Sequence, residues 1–146
     1  MSEPFRQLTE RVYVSPQIGP SEVAEAARAG FGLIINNRPE DESDDQIPGP
    51  EIAAAAAAAG IGYAAIPVTH AGFSQPQIAA MAAALTAHPG PVLAYCRSGT
   101  RSTLLWALAE AGRGVSPHQL SAAAAGAGYD LSPVRALLDM LSAKTD

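Results

Sequence analysis

Seven consecutive residues, Cys96-Arg97-Ser98-Gly99-Thr100-Arg101-Ser102, bring together the chain's one thiol, two guanidinium groups, three hydroxyls and a glycine. A free thiol is a weak nucleophile near neutral pH because the thiolate is its minor form, and a helix N-terminus or a nearby guanidinium favours the thiolate. The segment follows the apolar run Pro91-Val92-Leu93-Ala94-Tyr95 and precedes a helical pattern. Cys96 therefore falls between a strand and a helix N-terminus, where backbone N–H groups lack intrahelical partners. Consecutive N–H groups in such a turn form a nest for an anion.

Each neighbour has a use in that nest. Gly99 admits dihedrals closed to other residues and a close approach of backbone to ligand. Arg101 can grip an oxyanion through two parallel hydrogen bonds. Ser102 can donate to the thiolate or to a leaving atom, and Arg97, Ser98 and Thr100 complete the loop. A lone cysteine at a strand end is usually a small buried hydrophobe. A structural thiol has no use for arginines on either side, so Cys96 reads as a nucleophile and Arg101 as its catalytic partner.

The elements that must position this loop are short apolar runs alternating with alanine-rich helical ones, a βα succession that predicts a largely parallel sheet. Strands are expected at Arg11–Ser15, Gly32–Asn36, Tyr63–Val68 and Pro91–Tyr95. The second is continuously apolar, as a central parallel strand should be. Helices are expected from a Ser21 cap to Ala29, over Glu51–Ala59, from a Ser74 cap over Gln75–Ala87, and over Ser102–Ala111. Ser116-Pro117 and Ser132-Pro133 each predict a helix start, a capping serine before a proline. In open α/β sheets ligands collect outside the carboxyl ends of the strands. Asn37-Arg38, Thr69-His70 and the Cys96 loop should meet there. Arg38 is thus a second candidate anion contact, or a loop arginine paired with Glu40 or Asp41, and His70 a candidate acid or pocket residue. Trp106 and Tyr63 read as core, and Tyr129-Asp130 as a turn before the last helix.

The bulk numbers bound the rest. With 146 residues, 48% of them hydrophobic and 16% charged, the chain is expected to form a single domain, residues 1–146, rather than a disordered segment. A net charge of −5 without any basic run argues against nucleic acid or an anionic membrane as the main partner. The N-terminus lacks a signal-peptide layout, and Gly60, Gly62 and Pro67 interrupt the most apolar stretch, so a cytoplasmic location is expected. One cysteine and three histidines without ligand spacing predict no metal and no cofactor. Nothing in the sequence sets an oligomeric state.

At Cys96-Arg97-Ser98-Gly99-Thr100-Arg101-Ser102 the chain resembles cysteine-dependent phosphatases and rhodanese-type sulfurtransferases. More closely, it resembles the small bacterial family called the beta-lactamase-hydrolase-like phosphatase-like domain. The resemblance runs through Ile34-Ile35-Asn36-Asn37-Arg38-Pro39, Ile66-Pro67-Val68 and Gly90-Pro91-Val92-Leu93-Ala94-Tyr95 up to Trp106, most of the first 110 residues. It implies a dual-specificity-phosphatase-like fold, three layers with a central, mostly parallel sheet of four to five strands flanked by helices. The cysteine loop would lie at the sheet's carboxyl edge.

Two features then separate the reactions. Four residues lie between Cys96 and Arg101, one fewer than in the usual cysteine phosphatase and as many as in rhodanese-type loops. No Asp or Glu occurs between Glu51 and Ala109, so the aspartate with which such a phosphatase protonates its leaving alkoxide has no counterpart there. The residue before Cys96 is tyrosine, where phosphatases usually have histidine. These features favour a sulfurtransferase that takes sulfane sulfur from thiosulfate or a similar small-molecule donor, carries it as a Cys96 persulfide and passes it to a thiol acceptor. The alternative is a phosphatase acting on a phosphorylated substrate through a Cys96 phosphocysteine. His70 or the acidic loop Glu40–Asp45 folded over the site would then supply the acid. A third reading is a non-catalytic oxyanion or persulfide sensor.

Overall fold

The computed structural model describes residues 5–69 and 71–143. The elements run β1 (Arg6–Gln7), β2 (Val12–Ser15), α1 (Pro20–Arg28), β3 (Leu33–Asn36), α2 (Gly49–Ala59), β4 (Gly62–Ala65), α3 (Gln75–Ala87), β5 (Val92–Tyr95), α4 (Thr100–Ala111), α5 (Pro117–Gly126), a 3-10 turn (Ser132–Val134) and α6 (Arg135–Ala143). The strands form one five-stranded sheet in the order β1-β2-β5-β3-β4. β2, β5, β3 and β4 are parallel, and β1 alone runs antiparallel, against β2.

The sheet is the middle of three layers because its strands are apolar on both faces. Alternation sends Val14, Ile35 and Ala94 to one side, under α3, α4, α5 and α6, where they join Met81, Leu105, Leu108 and Leu138. Ile34, Leu93 and Tyr95 point the other way, onto α1 and α2, against Ile18, Val23, Ile52 and Ala56. α4 is buried over nearly its whole length, from Ser102 through Ala109. It is the element behind the loop, so the loop rests on the best-packed helix of the chain.

Most boundaries follow local chemistry. α1 starts at Pro20, one residue before the expected Ser21 cap, because proline suits the first helical position and Glu22 Oε1 accepts the Gly19 N–H at 2.6 Å. Ser116 caps α5, its Oγ accepting the Gln119 N–H at 3.1 Å. Ser132-Pro133 opens the 3-10 turn rather than α6 itself, with the Asp130 carboxylate accepting from both the Ser132 N–H and its hydroxyl. β4 stops at Ala65, short of the expected Val68. The chain beyond it still donates Ile66 N–H to Asn36 O and Val68 N–H to Asn37 O, which keeps it beside β3. α3 has no basic residue in its last turn. Arg11 supplies that charge from across the sheet, donating to the carbonyls of Leu85, His88 and Gly90 and satisfying acceptors a helix end leaves free.

Candidate functional site

β5 delivers Cys96 to the carboxyl edge of the sheet, where its side chain is fully buried. Gly99 takes φ +93° and acts as the N-cap of α4, so the helix starts at Thr100 and not at the expected Ser102. This bend aims the Gly99 N–H at Cys96 Sγ, 3.1 Å away. The first intrahelical bond runs from Thr103 N–H to Gly99 O, and a glycine cap carries no side-chain acceptor. The Thr100 N–H reaches Ser98 Oγ at a long 3.4 Å, and the remaining amides of the first turn are left for a ligand, the arrangement in which a helix N-terminus binds an anion.

The loop is braced from three directions. Thr103 Oγ1 donates to Gly99 O at 2.8 Å, Gln17 N–H to Arg97 O at 3.3 Å, and Tyr129 Oη to Ser98 O at 3.0 Å. Arg6 lies over the Tyr129 ring, 5.8 Å from its centroid. A Cβ on residue 99 would collide with Tyr129 Oη and meet its Cζ at 2.9 Å. We expect Gly99→Ala to destabilise the fold by about 1–3 kcal/mol, from the left-handed backbone together with overpacking, and to push the loop off the sulfur. Thermal unfolding and the rate of Cys96 alkylation would show both, and a variant like wild type in both would mean that Tyr129 yields freely.

The Arg101 guanidinium is held by three hydrogen bonds. Nη1 and Nη2 donate end-on to the two oxygens of Glu42, at 2.6 and 2.8 Å, and Nη1 also donates to Val68 O at 2.8 Å. Its pKa is raised above the ordinary arginine value, first by the Glu42 hydrogen bond, with burial acting the other way and the Cys96 sulfur adding to the rise. Arg38 was a candidate anion contact or a partner of Glu40 or Asp41. Instead its Nε donates to Glu42, Nη1 to Gln17 Oε1 and Nη2 to Ser43 Oγ, and the side chain is only 4% exposed.

Glu42 is lowered to about 2, chiefly by the Arg101 hydrogen bond; partial burial opposes the shift and the Arg38 hydrogen bond adds to it. A carboxyl whose folded value lies below its ordinary 4.5 contributes stability that is complete above pH 4.5 and lost as the pH falls from 4.5 to 2. Glu42→Gln should flatten that stretch of the stability–pH curve. At neutral pH it should cost about 1–2 kcal/mol, the linkage value being reduced by solvent at the rim. Denaturant titrations at a series of pH values test this, and an unchanged acid slope would refute it.

The other expected site residues separate into two groups. Ser102 is fully buried in the first turn of α4, and its Oγ has no hydrogen-bond partner among the described residues. Arg97, Ser98 and Thr100 are exposed at the mouth of the loop, where Ser98 Oγ donates to Thr100 Oγ1 at 3.0 Å. His70 lies outside the described residues. Tyr95 points to the opposite face of the sheet, and burial first of all holds its phenol far above the ordinary range, so it remains neutral there. Asn36 and Asn37 are the linkers that bring the strand ends together. Asn37 N–H donates to Tyr95 O, its Nδ2 to Ile66 O, and Asn36 Oδ1 accepts the Arg38 N–H. In the sequence Glu42 stands out only as part of the acidic loop Glu40–Asp45, and Tyr129 only as part of a turn before the last helix. The acidic run was a visible signal for the first, and nothing local marked the second as a contact of the Cys96 loop.

Among the described residues no group of three or more His, Cys, Asp or Glu side chains is placed to hold a metal ion, and no helix is long and apolar enough to cross a membrane.

The chain is similar to known proteins in sequence and in fold. The beta-lactamase hydrolase-like protein of Xylella fastidiosa is 37% identical over 103 residues, 70% of this chain and 24% of its own length. The chain thus spans about a quarter of the length of the curated relatives it matches. A Neisseria meningitidis protein provisionally described as a phosphatase is 31% identical with a TM-score of 0.84, the match covering 96% of this chain and 99% of that one. Tk-PTP in its active form, 18% identical with a TM-score of 0.76 over 99% of both chains, shares the fold, which is dual-specificity-phosphatase-like. The model for the phosphatase-like domain of beta-lactamase hydrolase-like proteins matches residues 4–113, from before β1 to just past α4 and so across the whole Cys96 loop, and the chain belongs to that family.

Proposed function

We propose that the protein is a cysteine-dependent phosphatase that forms a Cys96 phosphocysteine, acting on phosphate esters with good leaving groups such as aryl phosphates. The observation that carries this reading is the loop itself. A buried sulfur faces the Gly99 N–H beneath the open first turn of α4, with Arg101 alongside. The surrounding fold and the Neisseria relative's description favour phosphorus over sulfur as the atom attacked. Cys96 thiolate attacks phosphorus, the S–P bond forms, the P–O bond breaks and the phenolate leaves with its electron pair. Loop amides and Arg101 stabilise the equatorial oxygens in the transition state. Water then cleaves the S–P bond, releasing inorganic phosphate and restoring the thiolate.

Good leaving groups are specified because Glu42, held near pKa 2, is ionised at neutral pH and has no proton to donate. Phenolates depart without one more readily than alkoxides do.

The spacing of Cys96 and Arg101 supports sulfur transfer as a second reading: thiolate attacks the outer sulfur of thiosulfate, sulfite leaves, and the persulfide passes to an external thiol. The two are separated by incubating purified protein with an aryl phosphate, and in parallel with thiosulfate, and taking intact masses without reductant. Vanadate-sensitive release of phosphate, with a trapped phosphoryl adduct absent from Cys96→Ser, supports the phosphatase. A single added sulfur, discharged by cyanide or glutathione and without phosphate release, would replace it with the sulfurtransferase.

A further inference from the structure

We propose that Glu42 is a positioning residue for Arg101, setting the one edge of the guanidinium that can receive an oxyanion; this rests on the reading of Cys96 and Arg101 as an anion-binding pair. A guanidinium has five N–H bonds in a rigid plane. Glu42 takes one on Nη1 and one on Nη2, and Val68 O takes the second on Nη1. The two that remain, on Nε and on Nη2, lie side by side along one edge. They form the parallel fork that two oxygens of a tetrahedral anion require.

Glu42 can do this because it is itself fixed. Arg38 donates to it through Nε and is held in turn by Gln17 Oε1 and Ser43 Oγ. The Gln17 N–H donates to Arg97 O. The contacts therefore leave the loop at Arg101 and return to it at Arg97, a closed ring through three segments of chain. Without it the guanidinium would be free to turn on its flexible stem, and the fork would have to be rebuilt for each substrate.

Two other roles for Glu42 fit the contacts less well. A proton donor would have to be protonated at working pH, and two arginines hold this carboxylate ionised. A plug would occupy the nest, whereas both Glu42 oxygens bond guanidinium nitrogens and none bonds a loop amide.

The test is a double-mutant cycle, Glu42→Gln in wild-type and in Arg101→Ala backgrounds, with two readouts. The first is kcat and KM over aryl phosphates of graded leaving-group acidity. The second is the inorganic phosphate concentration that protects Cys96 from iodoacetamide, which needs no turnover. Glu42→Gln should lower kcat about 10- to 100-fold, equally along the series. It should weaken phosphate protection about tenfold and add nothing once Arg101 is alanine. If the glutamine variant does not fold, Glu42→Asp, charged but one methylene short, should show the same pattern. A rise in activity or tighter protection would identify a plug. A loss that grows with leaving-group basicity would identify an acid, and losses that multiply in the cycle would remove Arg101 as the target; each overturns the proposal. Protection without turnover in wild type would sink the phosphatase reading alone, leaving the protection readout to decide Glu42. A wild-type Cys96 that phosphate does not protect would sink both.

Discussion

Cys96→Ser should remove turnover by at least about four orders of magnitude while leaving the fold in place. The sulfur is fully buried and accepts from the Gly99 N–H, so a hydroxyl of nearly the same shape finds both a space and a donor. What it lacks is acidity. An unassisted serine has no general base here: among the described residues the carboxylate brought to the loop is Glu42, and both of its oxygens are engaged by arginines. The nest amides would stabilise an alkoxide too weakly to make up the difference at neutral pH. Steady-state turnover of an aryl phosphate and circular dichroism of the variant decide this together. A folded Cys96→Ser protein with more than a tenth of wild-type activity would show that another group is the nucleophile.

Arg101→Lys should lower kcat/KM by about 10²–10³, some 3–4 kcal/mol of transition-state stabilisation, although the charge is unchanged. An ammonium on a flexible stem cannot present two parallel N–H bonds to a phosphoryl group while also filling the end-on bonds to Glu42 and the bond to Val68 O. The substitution therefore separates charge from geometry. Steady-state kinetics, with the inorganic phosphate concentration needed for half-inhibition, would measure the loss. A lysine variant within about fivefold of wild type would mean that a positive point charge suffices and that the fork is not used.

These expectations share a structural reason. The loop's conformation is over-determined: a left-handed Gly99 wedged against Tyr129, carbonyls tied to Gln17, Thr103 and Tyr129, and a helix behind it that is buried almost throughout. Rigid support of this kind would let orphan amides and one arginine edge act without reorganisation in the proposed reaction.

Much of this was legible in the sequence because it is local. The alternation of apolar strands with alanine-rich helices is a matter of side-chain period and capping, so β2, β3, β5 and all the helices could be placed from neighbouring residues. The Cys96 loop was legible for the same reason, since nucleophile, glycine bend, helix start and arginine lie within six consecutive positions. β1 was missed because two exposed residues, Arg6 and Gln7, carry no periodicity and become a strand only by pairing with β2. The start of α4 was misplaced by two residues because the positive φ of Gly99, not a serine cap, sets it. Arg38 illustrates the limit best. Its position after β3 pointed to the anion, but whether its nitrogens face a ligand or Glu42, Gln17 and Ser43 depends on how three loops fold over one sheet edge. Glu42 lies 59 residues from Arg101 and Tyr129 lies 31 from Ser98. Contacts across such separations leave no pattern in spacing or composition. They follow from the parallel strand order β2-β5-β3-β4, which brings strand ends remote in the chain to one edge and leaves packing there to choose the partners.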